Sequence, residues 1–226
     1  MFDILLFDID DTLLDFHKAE HLAFKEVCDQ YNITYNDELY KQYGNINAFC
    51  WKQLELGNMK REEVYIQRFE QLFDLYKLNI NAKEFNAAYF AKLRLQHPLM
   101  PNALELLNQL SDKKLYVVTN GDKYVQEPRY HDSGLHRYFI KAFISQEVGF
   151  EKPSIEYFNT IIKEIPYFNK ETTLIIGDSL TSDIKGGNNV GIKTCWYNPK
   201  RKTCIEGIHV DYEIHDLLEL LPIVNQ

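Results

Sequence analysis

The sequence predicts an α/β protein: a doubly wound parallel sheet with an all-helical segment inserted after the first strand. Two observations lead there. Short apolar runs recur along residues 1–15 and 97–226 with helical patterns between them, whereas residues 16–96 carry a helical pattern throughout. The expected organisation is therefore a discontinuous α/β core, 1–15 with 97–226, and a helical domain, 16–96.

The first run, Ile4-Leu5-Leu6-Phe7, is continuous and not alternating, which suits a strand buried on both faces. Leu115–Thr119, Ala142–Ile144, Thr173–Ile176 and Ile192–Tyr197 resemble it. Helical patterns cover 102–111, 154–164 and 181–189, and Pro101 and Pro153 stand just ahead of the first two, where a fixed φ suits a helix start. Strands alternating with helices imply right-handed crossovers and a parallel sheet. In the insert, Tyr65, Phe69, Leu72, Phe73 and Tyr76 recur at the spacing of one helix face. From Phe16 to Phe90 the insert holds 15 of the 31 aromatic residues, enough for a core of its own.

At 226 residues, 45% hydrophobic and 26% charged, the chain has ordinary globular composition, which excludes disordered and fibrous classes. The net charge is −8 and no basic block is present, which argues against a nucleic-acid polymer as partner. No apolar run approaches the roughly 18–20 residues of a membrane span. The N-terminus places Asp3 and Asp8 where a secretory signal needs positive charge, so a cytoplasmic protein is expected, monomeric or a small homo-oligomer. Cys28, Cys50, Cys195 and Cys204 lack metal or redox spacing and are read as reduced thiols. His17 and His21 could share a helix face but lack a third metal ligand. Gly186, Gly187 and Gly191 follow a helix instead of opening one, which reads as close packing and a helix end.

Four segments carry chemistry. The first strand runs into Asp8-Ile9-Asp10-Asp11-Thr12, and residues two apart in an extended chain project to one side. The second strand ends in Thr119-Asn120-Gly121, Lys152-Pro153 precedes a helix, and the fourth strand runs into Gly177-Asp178-Ser179-Leu180-Thr181-Ser182-Asp183. Each alone reads equally well as a turn, a solvated charge or a helix cap. Together they stand at the edge where open α/β sheets bind ligands, beyond the carboxyl ends of the strands. Acids for a hard cation, a hydroxyl, an amide and a lysine suit phosphoryl chemistry with a magnesium ion.

Phe-Asp-Ile-Asp-Asp-Thr-Leu at 7–13, Thr-Asn-Gly at 119–121, Lys-Pro at 152–153 and Gly-Asp-Ser-Leu-Thr-Ser-Asp at 177–183 resemble, in order and spacing, the four motifs of the haloacid dehalogenase superfamily. The helical insert resembles that superfamily's first cap type. Asn47 and Trp51 before Gly57, then Arg68-Phe69, then Gln126 and Arg129 after Thr-Asn-Gly are similar to the hallmarks of its noncanonical pyrimidine nucleotidase branch. The resemblance implies a magnesium-dependent hydrolase of small-molecule phosphomonoesters, with nucleoside 5′-monophosphates as substrates. It implies Asp8 as nucleophile and Asp10 as general acid and base. Thr119, the Asn120 main chain and Lys152 would hold the phosphoryl group. Asp8, the Asp10 main-chain carbonyl and Asp178 would bind Mg2+, with Asp183 adjacent or acting through water. Asn47, Trp51 and Arg68 are the candidate substrate contacts, against a reading in which Trp51 is core and Arg68 pairs with Glu55. The cap would close over the crevice.

The alternatives are a sugar-phosphate phosphatase or phosphoglucomutase-type enzyme of the same superfamily and, from another class, a non-catalytic phospho-receiver or binding protein. A receiver has no need of a helical insert. Pro128 departs from the pattern: proline costs about 3 kcal/mol inside a helix, so the helix after Thr-Asn-Gly is expected to start near Glu127. That leaves Gln126 and Arg129 without a role.

Overall fold

The continuous apolar runs become strands because both faces of the sheet they form are covered. In the computed structural model, which describes residues 1–225, β1 (Ile4–Phe7), β2 (Lys114–Thr119), β3 (Lys141–Ile144), β4 (Thr173–Gly177), β5 (Lys193–Tyr197) and β6 (Tyr212–Ile214) form one sheet. The order is β3-β2-β1-β4-β5-β6 and each neighbouring pair is parallel. Phe7 registers with Val117 on one side and Ile176 on the other. Asp8, Thr119 and Asp178 thus emerge at one edge, around the point where the strand order reverses.

Helices α1 (Phe16–Gln30), α2 (Asp37–Glu55), α3 (Arg61–Tyr76) and α4 (Ala82–Leu93) follow β1. Between and after the later strands come α5 (Ala103–Gln109), α6 (Lys123–Asp132), α7 (Ser145–Val148), α8 (Ile155–Glu164), α9 (Lys185–Val190) and α10 (Leu220–Val224). A π-helical turn, Leu180–Ile184, leads into α9. The chain divides into two compact units, one being Met1–Phe16 with the described chain from His97 onward, the other His17–Gln96.

In the α/β unit, alternate strand residues feed two cores. Leu5, Phe7, Val117 and Ile176 pack with Leu106 and Leu107 of α5 and with Leu217 and Leu220. Leu6, Tyr116, Val118 and Ile175 pack with Tyr157, Phe158 and Ile161 of α8. This two-sided burial is why the strands read as unbroken apolar runs. In the helical unit, Asn36 and Asn81 cap α2 and α4 by accepting from backbone N–H groups of the first turn. Tyr43 stacks between Phe24 at 4.4 Å and Phe69 at 5.5 Å, and Phe69 meets Phe85 edge-on at 4.8 Å. Tyr65, Phe69, Leu72 and Phe73 are buried, and Tyr76 is half-buried.

Two features differ from expectation. The edge strand β6 was not foreseen, because three residues with an exposed Glu213 carry too little apolar signal. The helix after Thr-Asn-Gly starts at Lys123, not near Glu127, and Pro128 lies inside it. Asp122 caps it by accepting from the Val125 N–H, and buried Val125, Gln126 and Arg129 anchor it, which outweighs the hydrogen bond a proline cannot donate. Cys28, Cys50 and Cys195 are buried free thiols and Cys204 is an exposed one. No helix among the described residues is long and apolar enough to cross a membrane.

Two glycines give opposite expectations. A Cβ on Gly186 would lie 2.3 Å from the Phe158 ring, so Gly186→Ala is expected to lose about 1–3 kcal/mol by overpacking. Gly44 lies within α2 with nothing inside 4 Å of such an atom, so Gly44→Ala is expected to gain about 0.5–1 kcal/mol. Equilibrium urea unfolding of the two variants measures both.

Candidate active site

The site grows from the ends of β1, β2 and β4. Asp8 follows β1, its N–H bonded to the Ile176 carbonyl at 2.9 Å, so its position is fixed by continuation of the sheet ladder. Beyond it the chain turns: the Ile9 carbonyl accepts from the N–H groups of Thr12, Leu13 and Leu14, and Asp11 takes φ 57°. Asn120 and Lys152 bond reciprocally, Asn120 Nδ2 to the Lys152 carbonyl at 2.8 Å and Lys152 N–H to Asn120 Oδ1 at 2.9 Å. That pair fixes the loop before α8 against the end of β2.

The Lys152 ammonium is buried and its three donors are used. It gives hydrogen bonds to Asp8 Oδ1 at 2.7 Å, Asp183 Oδ1 at 2.6 Å and the Val118 carbonyl at 2.8 Å. Asp183 also accepts from the Ser179 N–H at 3.1 Å. Gly177 is required here, since a Cβ would lie 2.2 Å from the Asp183 carboxylate. Asp178 is half-buried, its carbonyl accepting from the Trp196 indole N–H at 2.9 Å.

Carboxylate oxygens of Asp8, Asp178 and Asp183 lie within 4.8 Å of one another. One ammonium does not neutralise three carboxylates, and the excess negative charge adds to burial at Asp8 and Asp178. Burial holds Asp8 well above the usual carboxylate range; Lys152 opposes this, while Asp183, Asp10 and Asp178 add to it. Asp178 is pushed up to about 8 by burial, then by Asp183 and Asp11. Burial alone would lower Lys152, but Asp183 and Asp8 outweigh it and raise it. An all-oxygen donor set with unbalanced negative charge fits a small hard divalent cation.

Thr119 Oγ1 accepts from the Gly121 N–H at 3.0 Å and from Gln126 Nε2 at 3.1 Å. Asp10 faces a different set of groups. Its Oδ2 accepts from Gln126 Nε2 at 2.6 Å and its Oδ1 from Arg129 Nη1 at 2.7 Å.

A family model described as haloacid dehalogenase-like hydrolase matches residues 2–191. The chain belongs to this hydrolase family. YfnB of Bacillus subtilis is 43% identical, over 98% of this chain and 94% of YfnB. The pyrimidine 5′-nucleotidase PynA of Streptococcus pneumoniae is 37% identical, over 97% of this chain and 95% of PynA. The pyrimidine 5′-nucleotidase YjjG of Escherichia coli is 30% identical, over 96% of each chain. A crystal structure of YfnB bound to magnesium superposes with a TM-score of 0.96 at 42% identity, covering 100% of this chain and 99% of that one. The chain is thus a haloacid dehalogenase-like hydrolase with nucleotidase relatives, built on the α/β fold that its apolar runs announced.

The remaining candidate residues lie in the helical unit. Asn47 and Arg68 meet: Arg68 Nη1 donates to Asn47 Oδ1 at 3.0 Å, and Asn47 Nδ2 donates to Glu20 Oε1 at 2.9 Å. Arg68 Nη2 donates to Asn86 at 2.8 Å, and its guanidinium lies 4.8 Å from the Phe69 ring centroid and 5.1 Å from that of Tyr89. Arg68 therefore does not pair with Glu55, which meets Lys52 at 3.2 Å. Trp51 stands apart from this network, packed with Cys50, Val64 and Tyr65. Sequence reasoning missed Glu20 and Asn86. The available signal was a charged residue on the buried face that Ala19, Ala23, Phe24 and Val27 define in α1. It also assigned nothing to Gln126 and Arg129, which the structure ties to Asp10.

Lys152→Met is expected to cost about 3–5 kcal/mol at pH 7, because it leaves two buried carboxylates without their partner. Guanidinium unfolding of the metal-free protein measures it, and the loss should shrink as the pH is lowered and Asp8, whose carboxyl burial holds well above the usual range, takes up a proton.

Proposed function

We propose that this hydrolase is a magnesium-dependent phosphomonoesterase acting through an aspartyl phosphate on Asp8, with pyrimidine nucleoside 5′-monophosphates as preferred substrates. The observation that carries the reading is the convergence of Asp8, Asp178 and Asp183 on one buried lysine at the switch point of a parallel sheet. Lys152 holds Asp8 Oδ1, so attack on phosphorus is assigned to Oδ2, beside the Thr12 hydroxyl at 3.5 Å. The Thr119 hydroxyl accepts two hydrogen bonds from the protein and has its own proton to donate to a phosphoryl oxygen. Asp10 gives a proton to the departing alcohol oxygen and takes one from the water that opens the aspartyl phosphate. A bound magnesium ion, held by Asp8, Asp178 and the Asp10 carbonyl with Asp183 adjacent or acting through water, would supply the positive charge that draws a phosphate dianion to an acidic protein.

The substrate class rests on the relatives PynA and YjjG, together with the polar network of the helical unit, which we assign as the cap domain. Asn47 and Arg68 carry the hydrogen-bonding groups for a base edge, and buried Arg68 Nε has no partner among the described residues. Trp51 offers an apolar face for the ring or sugar. The ordinary globular composition and the net charge of −8 support a cytoplasmic protein acting on a free metabolite.

Asp8→Asn is expected to lower phosphate release by about 10³-fold or more while leaving the thermal midpoint intact or raised, since a neutral amide relieves a buried carboxylate. A timed phosphate assay with matched calorimetry reads both. Because Asp178 titrates near pH 8 without a cation, the metal-free fold binds more protons than the unfolded chain between about pH 4 and 8 and loses stability as pH rises through that window. Magnesium replaces those protons, so its increment to Tm should grow from pH 6 to pH 8; an increment independent of pH would place the ion elsewhere. On substrates, kcat/KM for UMP should exceed that for glucose 6-phosphate, and Trp51→Ala should narrow the gap while sparing a small aryl phosphate.

A further inference from the structure

We infer that Gln126 and Arg129 are positioning residues that aim the Asp10 carboxyl for proton transfer, an inference that rests on the phosphomonoesterase reading above. Both side chains are buried, Gln126 at 1% exposure and Arg129 at 0%. They lie three apart on α6 and so share a helix face. Together they close a ring of hydrogen bonds on Asp10. Gln126 Nε2 donates to Asp10 Oδ2 at 2.6 Å, Arg129 Nη1 to Asp10 Oδ1 at 2.7 Å, and Arg129 Nη1 also to Gln126 Oε1 at 2.6 Å. Each oxygen of Asp10 thereby has its own donor, which restrains the carboxyl group.

Two further features show a built arrangement. A Cβ on Gly121 would lie 2.2 Å from Gln126 Nε2, so the glycine of Thr-Asn-Gly is what lets the glutamine side chain reach Asp10. The face of the Arg129 guanidinium is covered by Phe16, 5.4 Å to the ring centroid, which keeps the charge directed at the carboxylate. Gln126 Nε2 also donates to Thr119 Oγ1, so one amide group sets both the proton-transfer residue and the phosphate-binding hydroxyl.

The step that depends on this aim is balanced. As the phosphorus–oxygen bond to the alcohol breaks, the electron pair goes to the alcohol oxygen, which takes the Asp10 proton. A water then attacks the aspartyl phosphate and gives its proton to Asp10, and the electron pair of the breaking bond returns to Asp8. An aryl alcohol of low pKa leaves without the first proton. Misaiming Asp10 must therefore slow phosphoenzyme formation from an alkyl ester much more than from such an aryl ester.

The test is rapid-mixing kinetics of the magnesium-loaded wild type, Arg129→Met, Gln126→Leu and Arg129→Lys on UMP and on 4-nitrophenyl phosphate. For Arg129→Met the UMP turnover should fall by about 10²-fold or more, and the burst of nitrophenolate by about tenfold less than that. Gln126→Leu removes no charge and should show the same dependence on leaving group should Arg129→Met fail to fold; Arg129→Lys should restore part of the loss. An equal fall on both esters, or no fall on either, overturns the positioning role while the phosphatase reading stands. A wild type that releases phosphate from neither ester removes that reading and this inference with it.

Discussion

The Lys152 ammonium is the group on which the arrangement of the α/β edge depends. Its three donors reach the end of β1 through Asp8, the end of β2 through the Val118 carbonyl, and the turn after β4 through Asp183. A buried ammonium costs several kcal/mol in lost hydration and is tolerated only when its donors are satisfied and its charge is paired. Two carboxylates supply the pairing, and the reciprocal bonds between Asn120 and Lys152 hold the lysine where it can reach them. The geometry also explains the bare Gly177, because any side chain at the end of β4 would strike Asp183 and push it off the ammonium. One ammonium thus ties three strand ends together, while the backbone register of those strands sets the spacing of the acids.

The helical unit buries charge under a different rule. Asn47 stands between Glu20 and Arg68, donating to one and accepting from the other. The faces of the guanidinium meet the rings of Phe69 and Tyr89, so much of its compensation comes from aromatic quadrupoles instead of a second carboxylate. Tyr43, stacked between Phe24 and Phe69, adds a hydroxyl to Glu20 at 3.2 Å. A network with this many geometric conditions selects one packing of four helices out of the many that a merely apolar core would allow. An excess of aromatic residues in the sequence announced a core, but it gave no hint that the core is wired by polar groups.

Legibility followed the length scale of the interaction. β1 and β4 are visible as apolar runs because burial on both faces leaves little else possible, and β6 is invisible because an edge strand of three residues is under no such constraint. Asp8, Thr119, Lys152, Asp178 and Asp183 sit at strand ends or just before a helix, positions that the βα alternation locates without coordinates. Gln126 and Arg129 were obscured by Pro128. A local propensity rule placed the start of α6 too late, and tertiary anchoring of Val125, Gln126 and Arg129, with Asp122 as cap, overrode it. Arg68 shows the limit of reasoning by nearest opposite charge, since its partners come from α2 and α4 and are amides.

Asp8 and Asp10 are two residues apart, and alternation along an extended strand would make them equivalent neighbours. They are not equivalent, because β1 ends at Phe7 and the chain turns at once, with Ile9 as the acceptor of three backbone N–H groups and Asp11 in the left-handed region. The turn gives the two carboxyls different surroundings. Asp8 sits among Lys152, Asp178 and Asp183, where a cation is needed to hold its negative charge; Asp10 sits against a guanidinium and an amide that grip both of its oxygens. Under the proposed mechanism, like acids in unlike environments let one residue type serve both as nucleophile and as proton carrier. In this chain the division is made by backbone geometry over Ile9 to Thr12, before any side chain beyond the turn contributes, and α6 then makes it permanent.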